Sequence, residues 1–188
     1  MGVFYFYSMI TIRKDLQLQP IQTTDTVVLQ ALMWDIYPAA YSHFWEDGGD
    51  FYINNQYSKE NILKELSQEN AAYYFVVFNN EIIGNFRVVW NEKLSGFSEE
   101  RQVKLHRLYL LPKAQNKGLG KIIVSWLEEK ARFKDYQILW LDAMDTQEQA
   151  FQFYKKRGYK YHAHTFLDFE LMHVSFRKMN QIYKKLKA

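Results

Sequence analysis

One stretch limits what this chain can fold into more than any other. It is Leu105-His-Arg-Leu-Tyr-Leu-Leu-Pro112, followed at once by Lys113-Ala-Gln-Asn-Lys-Gly-Leu-Gly-Lys121. The first part reads as a strand ended by proline and the second as a glycine-containing loop. Leu119, Ile122, Ile123, Trp126 and Leu127 then fall at helical spacing. A strand that passes through such a loop into a helix leaves backbone N–H groups unpaired at the helix start, where the macrodipole also favours an anion. Gly118 and Gly120 remove side chains that would hold a phosphate away, and Lys117 and Lys121 add positive charge beside them. The segment therefore expects a phosphate-bearing ligand.

Two nucleotide readings fail. A Walker A loop needs four residues between its glycines and Ser or Thr after the lysine, whereas here one residue separates the glycines and Ile122 follows Lys121. A dinucleotide fingerprint needs a third glycine at position 123, which is isoleucine. Charge does not argue for nucleic acid either, since 24 Lys and Arg against 21 Asp and Glu leave a net charge of only +3. With no cysteine, the chain has no disulfide, zinc-thiolate site or cysteine nucleophile. No apolar run approaches the roughly 20 residues of a membrane-spanning helix. At 188 residues and 48% hydrophobic, the expectation is one domain over 1–188 with a large core. Residues 1–8 are apolar but lack a basic leader, so they read as an upstream start or a short extra strand rather than a signal peptide.

Periodicity places the remaining elements. Ile10 to Lys14 alternates and reads as a first strand. Val28, Leu29, Leu32, Met33 and Ile36 mark a helix capped by Thr24 or Asp25 and stopped by Pro38. An aromatic, acidic loop then runs from Tyr37 to Tyr57, and Ser58 caps a second helix burying Ile62, Leu63 and Leu66. Tyr73–Phe78 and Glu81–Trp90 flank Asn79-Asn80, a hairpin signal. After the strand Val103–Leu111 come a helix from Gly118 to Phe133, a strand Ile138–Leu141 and a helix from Gln147 to Arg157 ended by Gly158. Two last strands are expected at Tyr159–Thr165 and Phe169–Phe176. The order is that of a mixed α/β domain.

Leu108-Tyr-Leu-Leu-Pro112 with Gln115-Asn-Lys-Gly-Leu-Gly120 resembles motif A of the GNAT superfamily of acetyl-coenzyme A-dependent N-acetyltransferases. Ala150-Phe-Gln-Phe-Tyr-Lys-Lys-Arg-Gly-Tyr159, after the strand Ile138-Leu-Trp-Leu141, resembles its motif B. The two stand in the family's order and spacing. The resemblance implies a GNAT acyltransferase fold with a central mixed, mostly antiparallel sheet and flanking helices. It also implies that the strands at Leu108 and Leu139 splay apart.

By that resemblance, Gln115, Asn116, Lys117, Gly118, Leu119, Gly120 and Lys121 hold the pyrophosphate of coenzyme A through their amides. Leu108, Tyr109 and Leu110 pair with the pantetheine arm through their backbone groups. Tyr154 matches the family tyrosine near the cofactor sulfur, where a phenol can return a proton to the departing thiolate; packing with Phe151 and Phe153 is the alternative. Gln147 stands where the family often has an asparagine that touches the cofactor. His106 occupies the position at which many relatives carry a glutamate, so its imidazole is a candidate general base. Glu81, Glu92 and a chain of water molecules are the alternatives. Tyr41, Trp45 and Glu46, with Asp47 and Asp50, lie in the region relatives use for the acceptor and would suit a cationic amine; a solvated loop whose aromatics pack the core is the alternative.

The activity implied is transfer of an acetyl group from acetyl-coenzyme A to a primary amine of a small, polyamine-like molecule or a peptide, by direct attack in a ternary complex. A module that binds acyl-coenzyme A without catalysis, as a sensor or partner-binding protein, is the alternative. No metal, nucleic acid or membrane is called for. A homodimer is a family expectation, and a soluble cytoplasmic location is the expectation left standing.

Overall fold

The computed structural model describes residues 8–97 and 100–186; apart from Ser8, the leader or extra strand expected at 1–8 lies outside the described residues. The chain opens on a hairpin rather than one strand. β1 (Ile10–Arg13) pairs antiparallel with β2 (Leu16–Pro20), and the Asp15 carboxylate at the turn holds the Arg13 guanidinium. The alternation that marked Ile10–Lys14 in the sequence resumes in β2, where Leu16, Leu18 and Pro20 turn inward.

The first helix, α1 (Thr26–Tyr41), does not stop at Pro38. Proline removes one backbone donor, but packing keeps the last turn helical. The Tyr37 and Tyr41 rings lie 4.8 Å apart, and Tyr41 meets Tyr109 edge-on at 6.0 Å. Val28 faces solvent instead of joining Leu29, Leu32, Met33 and Ile36 in the buried stripe. The segment expected to be a continuous loop contains α2 (Asp50–Gln56). Asp47 makes this helix by accepting from the N–H groups of Gly49 and Phe51, and Gly49 supplies the left-handed conformation, φ +101°, that the entry requires. In α3 (Lys59–Leu66), Ser58 caps as expected, its Oγ accepting from the Asn61 N–H at 3.1 Å.

β3 (Ala71–Phe78) and β4 (Glu81–Trp90) form the expected hairpin; Asn79 and Asn80 both have positive φ, 50° and 63°, which matches the strand twist. β5 (Gln102–Leu110), α4 (Leu119–Phe133), β6 (Ile138–Met144) and α5 (Glu148–Lys156) follow, then Gly158 with φ +85°. The last two strands are β7 (Lys160–Phe166) and β8 (Lys178–Lys185). The strand expected at Phe169–Phe176 is instead a loop that ends in a 3-10 turn at Val174–Phe176. Arg177 holds it folded by donating to the carbonyls of Phe169 at 2.8 Å and Met172 at 3.1 Å, and Met172 makes an isolated bridge to Trp45.

The eight strands lie in one sheet in the order β1-β2-β3-β4-β5-β6-β8-β7, and every pairing except β5–β6 is antiparallel. This is the mixed, mostly antiparallel sheet with flanking helices that the motifs implied. Helices α4 and α5 cover one face through Leu119, Ile123, Leu127 and Tyr154; α1 to α3 cover the other through Leu29, Met33, Ile36, Ile53 and Ile62. Each such fully buried side chain contributes about 1.5–3 kcal/mol. Glu128, buried on α4, ties the first layer together by accepting from Arg157 of the α5 end at 3.1 Å and from Lys184 of β8 at 2.8 Å.

Candidate active site

The site follows from a fault in the sheet. β5 and β6 pair for only three residues, Gln102↔Ile138, Val103↔Leu139 and Lys104↔Trp140. Beyond Lys104 the strands part, as the family resemblance implied. β5 stays bonded to β4 as far as Gly84↔Leu110, while its other edge has no strand partner among the described residues. A row of backbone N–H and C=O groups is thus left for a ligand to use. A cavity of about 350 Å³ occupies the gap and reaches the undersides of α1 and α2.

Of the residues singled out in the sequence, Tyr41, Trp45, His106, Leu108, Tyr109, Gln147 and Tyr154 line this cavity. Leu110 and 115–121 do not; they form the approach between β5 and α4. Gln115 closes that loop by donating from Nε2 to the Leu110 carbonyl at 3.1 Å. Gly118, with φ +74°, caps α4 with backbone alone, so the first amides of the helix have no side chain over them. A Cβ placed on Gly118 or Gly120 would meet nothing within 4 Å. Open space, unpaired amides and the exposed Lys117 and Lys121 together fit a diphosphate.

Glu46 does not join the site. It is exposed and contributes a backbone N–H to the Leu171 carbonyl at 2.9 Å. Asp47 is spent on capping α2, and Asp50 is exposed at that helix's first turn. Glu81 pairs with Lys113 at the surface, 2.8 Å away, and neither Glu81 nor Glu92 lines the cavity.

His106 sits at a β-bulge. Arg87 faces Arg107 and Val88 faces Leu105, so His106 is the extra residue of β5. Its Nδ1 lies 2.7 Å from Nη1 of Arg87. A guanidinium can only donate, so Nδ1 carries the lone pair and the ring proton is on Nε2. Burial, then the charges of Arg107, Arg87 and Lys104, pull its pKa down to about 2. That environment makes His106 a neutral hydrogen-bond donor and works against the general-base role expected of it.

Behind it lies a buried ionic cluster. Arg87 also donates to Gln68 Oε1 at 2.6 Å, while its Nε has no hydrogen-bond partner among the described residues. Arg107 reaches Glu65 Oε2 at 2.5 Å and the Tyr73 hydroxyl at 3.1 Å, and lies 4.7 Å over the Tyr57 ring. Two guanidiniums share one carboxylate. Lys104 is paired with Asp142 at 2.7 Å.

Tyr154 is buried at the α5 side of the gap. Burial raises its pKa above the ordinary tyrosine value, Tyr41 raises it further, and Arg157 opposes both. The phenol is therefore held protonated, ready to donate though a weaker acid for it. Across the cavity, Tyr37 stacks on Tyr52 at 4.4 Å, Trp45 packs on Tyr52 and Phe169 at 5.4 Å each, and Trp45 donates to the Tyr37 hydroxyl at 3.0 Å. Burial pushes the Tyr41 phenol up to about 12. Tyr37, Tyr52, Phe169, Lys104 and Asp142 line the cavity but carried no sequence motif. The one signal that could have found the tyrosines is their density between Tyr37 and Tyr57.

Comparison with known proteins places these features in context. A model of the acetyltransferase (GNAT) family matches residues 30–159. An uncharacterized N-acetyltransferase from the pepI 3′ region of Lactobacillus delbrueckii subsp. lactis is 24% identical over 107 residues, 57% of this chain; the match spans 62% of that protein's length. Among solved structures, the PaiA N-acetyltransferase of Thermoplasma acidophilum in complex with coenzyme A is similar with a TM-score of 0.65 at 19% identity, covering 90% of this chain and 98% of that one. A spermidine N-acetyltransferase from Vibrio cholerae in complex with coenzyme A and spermine is similar with a TM-score of 0.66 at 13% identity, covering 93% and 97%. At these identities the solved structures speak for a shared fold.

Proposed function

Because the chain belongs to the acetyltransferase (GNAT) family, we propose that it transfers an acetyl group from acetyl-coenzyme A to the nitrogen of a primary amine, with both substrates bound together. The observation that carries this reading is the gap between β5 and β6. It offers a strand edge open at Leu108 and Tyr109, with the Leu110 carbonyl taken by Gln115, that leads from the amides at 116–121 to Tyr154 and the aromatic wall. Acetyl-coenzyme A, when bound, supplies the thioester carbonyl that the amine attacks.

The chain's own residues would act as follows. Amides of Asn116 to Lys121 bind the diphosphate, with Lys117 and Lys121 adding charge. The edge of β5 at Leu108, Tyr109 and Leu110 orients the pantetheine arm, and Gln147 at the start of α5 reaches the same arm. Tyr154 holds a proton at its hydroxyl and donates it to the departing sulfur. His106 donates from Nε2 and takes no proton from the amine, so that proton leaves through the cavity to solvent, from which the Tyr154 phenolate is reprotonated. Water exclusion falls to Tyr37, Tyr41, Trp45 and Phe169.

The test is release of coenzyme A from acetyl-coenzyme A against polyamines, aryl and alkyl amines, amino acids and short peptides, beside a thermal-shift measurement of coenzyme A binding. Turnover with one chemical class supports the reading. Tight binding without turnover on any amine would favour an acyl-coenzyme A-binding module, and no binding would remove the phosphate assignment itself.

A further inference from the structure

We propose that the acceptor is an amine with a single positive charge on an aromatic or aliphatic body, and that the cavity rejects polyamines. The proposal rests on the acetyl-transfer reading for which atom reacts; the charge rule itself comes from the cavity wall.

That wall is aromatic on the acceptor side, where Tyr37, Tyr41, Phe44, Trp45, Tyr52 and Phe169 converge. Ring faces cover an apolar body and tolerate one ammonium through their quadrupoles. A second ammonium needs a carboxylate. Among the described residues that line the cavity, Asp142 is the one acid, and it already accepts from Lys104 at 2.7 Å and from Gln181 at 3.3 Å. Behind the wall, Glu65 is held by Arg107, and Asp145, next to Met144 of the lining, pairs with Lys178 at 3.6 Å. The acids of the 37–57 segment are exposed or spent on a helix cap. Cations, in contrast, are plentiful: Lys104 and Arg107 line the cavity, and Arg87 stands behind His106 with half of a shared counter-ion. A polyamine would bring two or three further charges into a desolvated space whose fixed field is positive. The acidic loop that suggested a polyamine-like acceptor in the sequence does not supply its carboxylates here.

The decisive comparison uses n-hexylamine and 1,5-diaminopentane, which have the same number of non-hydrogen atoms and differ by a methyl against an ammonium. We expect kcat/KM to favour the monoamine by about thirtyfold or more, because an unpaired buried charge is rejected far more strongly than a methylene is. Phenethylamine should match or exceed hexylamine. Gln56→Glu, which sets a carboxylate in the wall, should shrink that ratio by about tenfold. Equal or better use of the diamine by the unaltered protein overturns the proposal. The same two amines are titrated calorimetrically into the protein saturated with coenzyme A. If no amine is acetylated, the transfer reading fails while the binding ratio still decides the charge rule; if neither amine binds, the charge rule fails as well.

Discussion

Nδ1 of His106 accepts a hydrogen bond from Nη1 of Arg87 at 2.7 Å, and this contact sets the proton chemistry of the cavity. The imidazole is neutral and its remaining proton points away from the arginine. The expected kcat/KM profile therefore has no ionisation near pH 6.5, and rises with pH until the acceptor amine itself is deprotonated. His106→Gln, which keeps a donor, should lower kcat by less than about tenfold and leave the profile unchanged. A limb near pH 6–7 that vanishes in this variant would restore the general-base role.

Burial of His106, with the charges of Arg107, Arg87 and Lys104 around it, makes a stability prediction. Folding lowers the His106 pKa from 6.5 to about 2, so between those values the unfolded chain binds a proton that the folded one refuses. Stability should therefore rise with pH through this window and be lost on acidification below about pH 6.5. Urea midpoints measured from pH 4.5 to pH 8 should climb, and His106→Gln should flatten the slope.

Tyr154→Phe removes the hydroxyl while keeping the ring that packs on Phe153 and Tyr159. If the phenol returns a proton to the sulfur, kcat should fall by about 10²–10³-fold with coenzyme A affinity within a few-fold of the unaltered protein. Unchanged turnover would reduce Tyr154 to packing.

Gly120 separates binding from folding. It lies in the first turn of α4 with open space where a Cβ would sit. Gly120→Ala should leave stability unchanged or raise it by up to about 1 kcal/mol, read as a Tm shift of about 2–4 °C at most. Coenzyme A affinity should move the other way, by about tenfold, because the methyl occupies the approach to the amides.

Among the described residues, Glu65 is the carboxylate that pairs with both Arg87 and Arg107, at 3.9 and 2.5 Å. Glu65→Gln leaves two buried guanidiniums without a counter-charge, and a loss of about 3–5 kcal/mol in urea unfolding is expected. Lys113→Gln, which breaks a surface pair of similar length, should not move the midpoint detectably. Equal effects of the two would mean that the cluster is solvated.

Local signals were readable where the physics is local. The Asn79-Asn80 turn, the Ser58 cap and Gly158 each answer to the backbone conformation of one or two residues. The strand–loop–helix around Gly118 is readable for the same reason. What the sequence hid depends on partners far along the chain. Pro38 reads as a stop until Tyr41 is seen against Tyr109; residues 169–176 read as a strand until Arg177 ties their carbonyls together. The bulge that pairs His106 with Arg87, 19 residues away, leaves no periodic mark. The acidic loop looked like an acceptor site because spacing does not tell whether Asp47 caps a helix or faces a ligand.

The three-residue pairing of β5 with β6 has a mechanical side as well. Five strands lie to one side of that seam and three to the other. Among the described residues the sheet is stitched across it by three ladder positions, the Arg101 carbonyl accepting from Gln137 and Ile138, and the Lys104–Asp142 pair. A ligand lying along the open edge would act as a wedge that also bonds, lengthening the stitch from within. The two flanks should then breathe less against each other when the gap is filled, and the amides of Leu141 to Met144 are where slower exchange would register it.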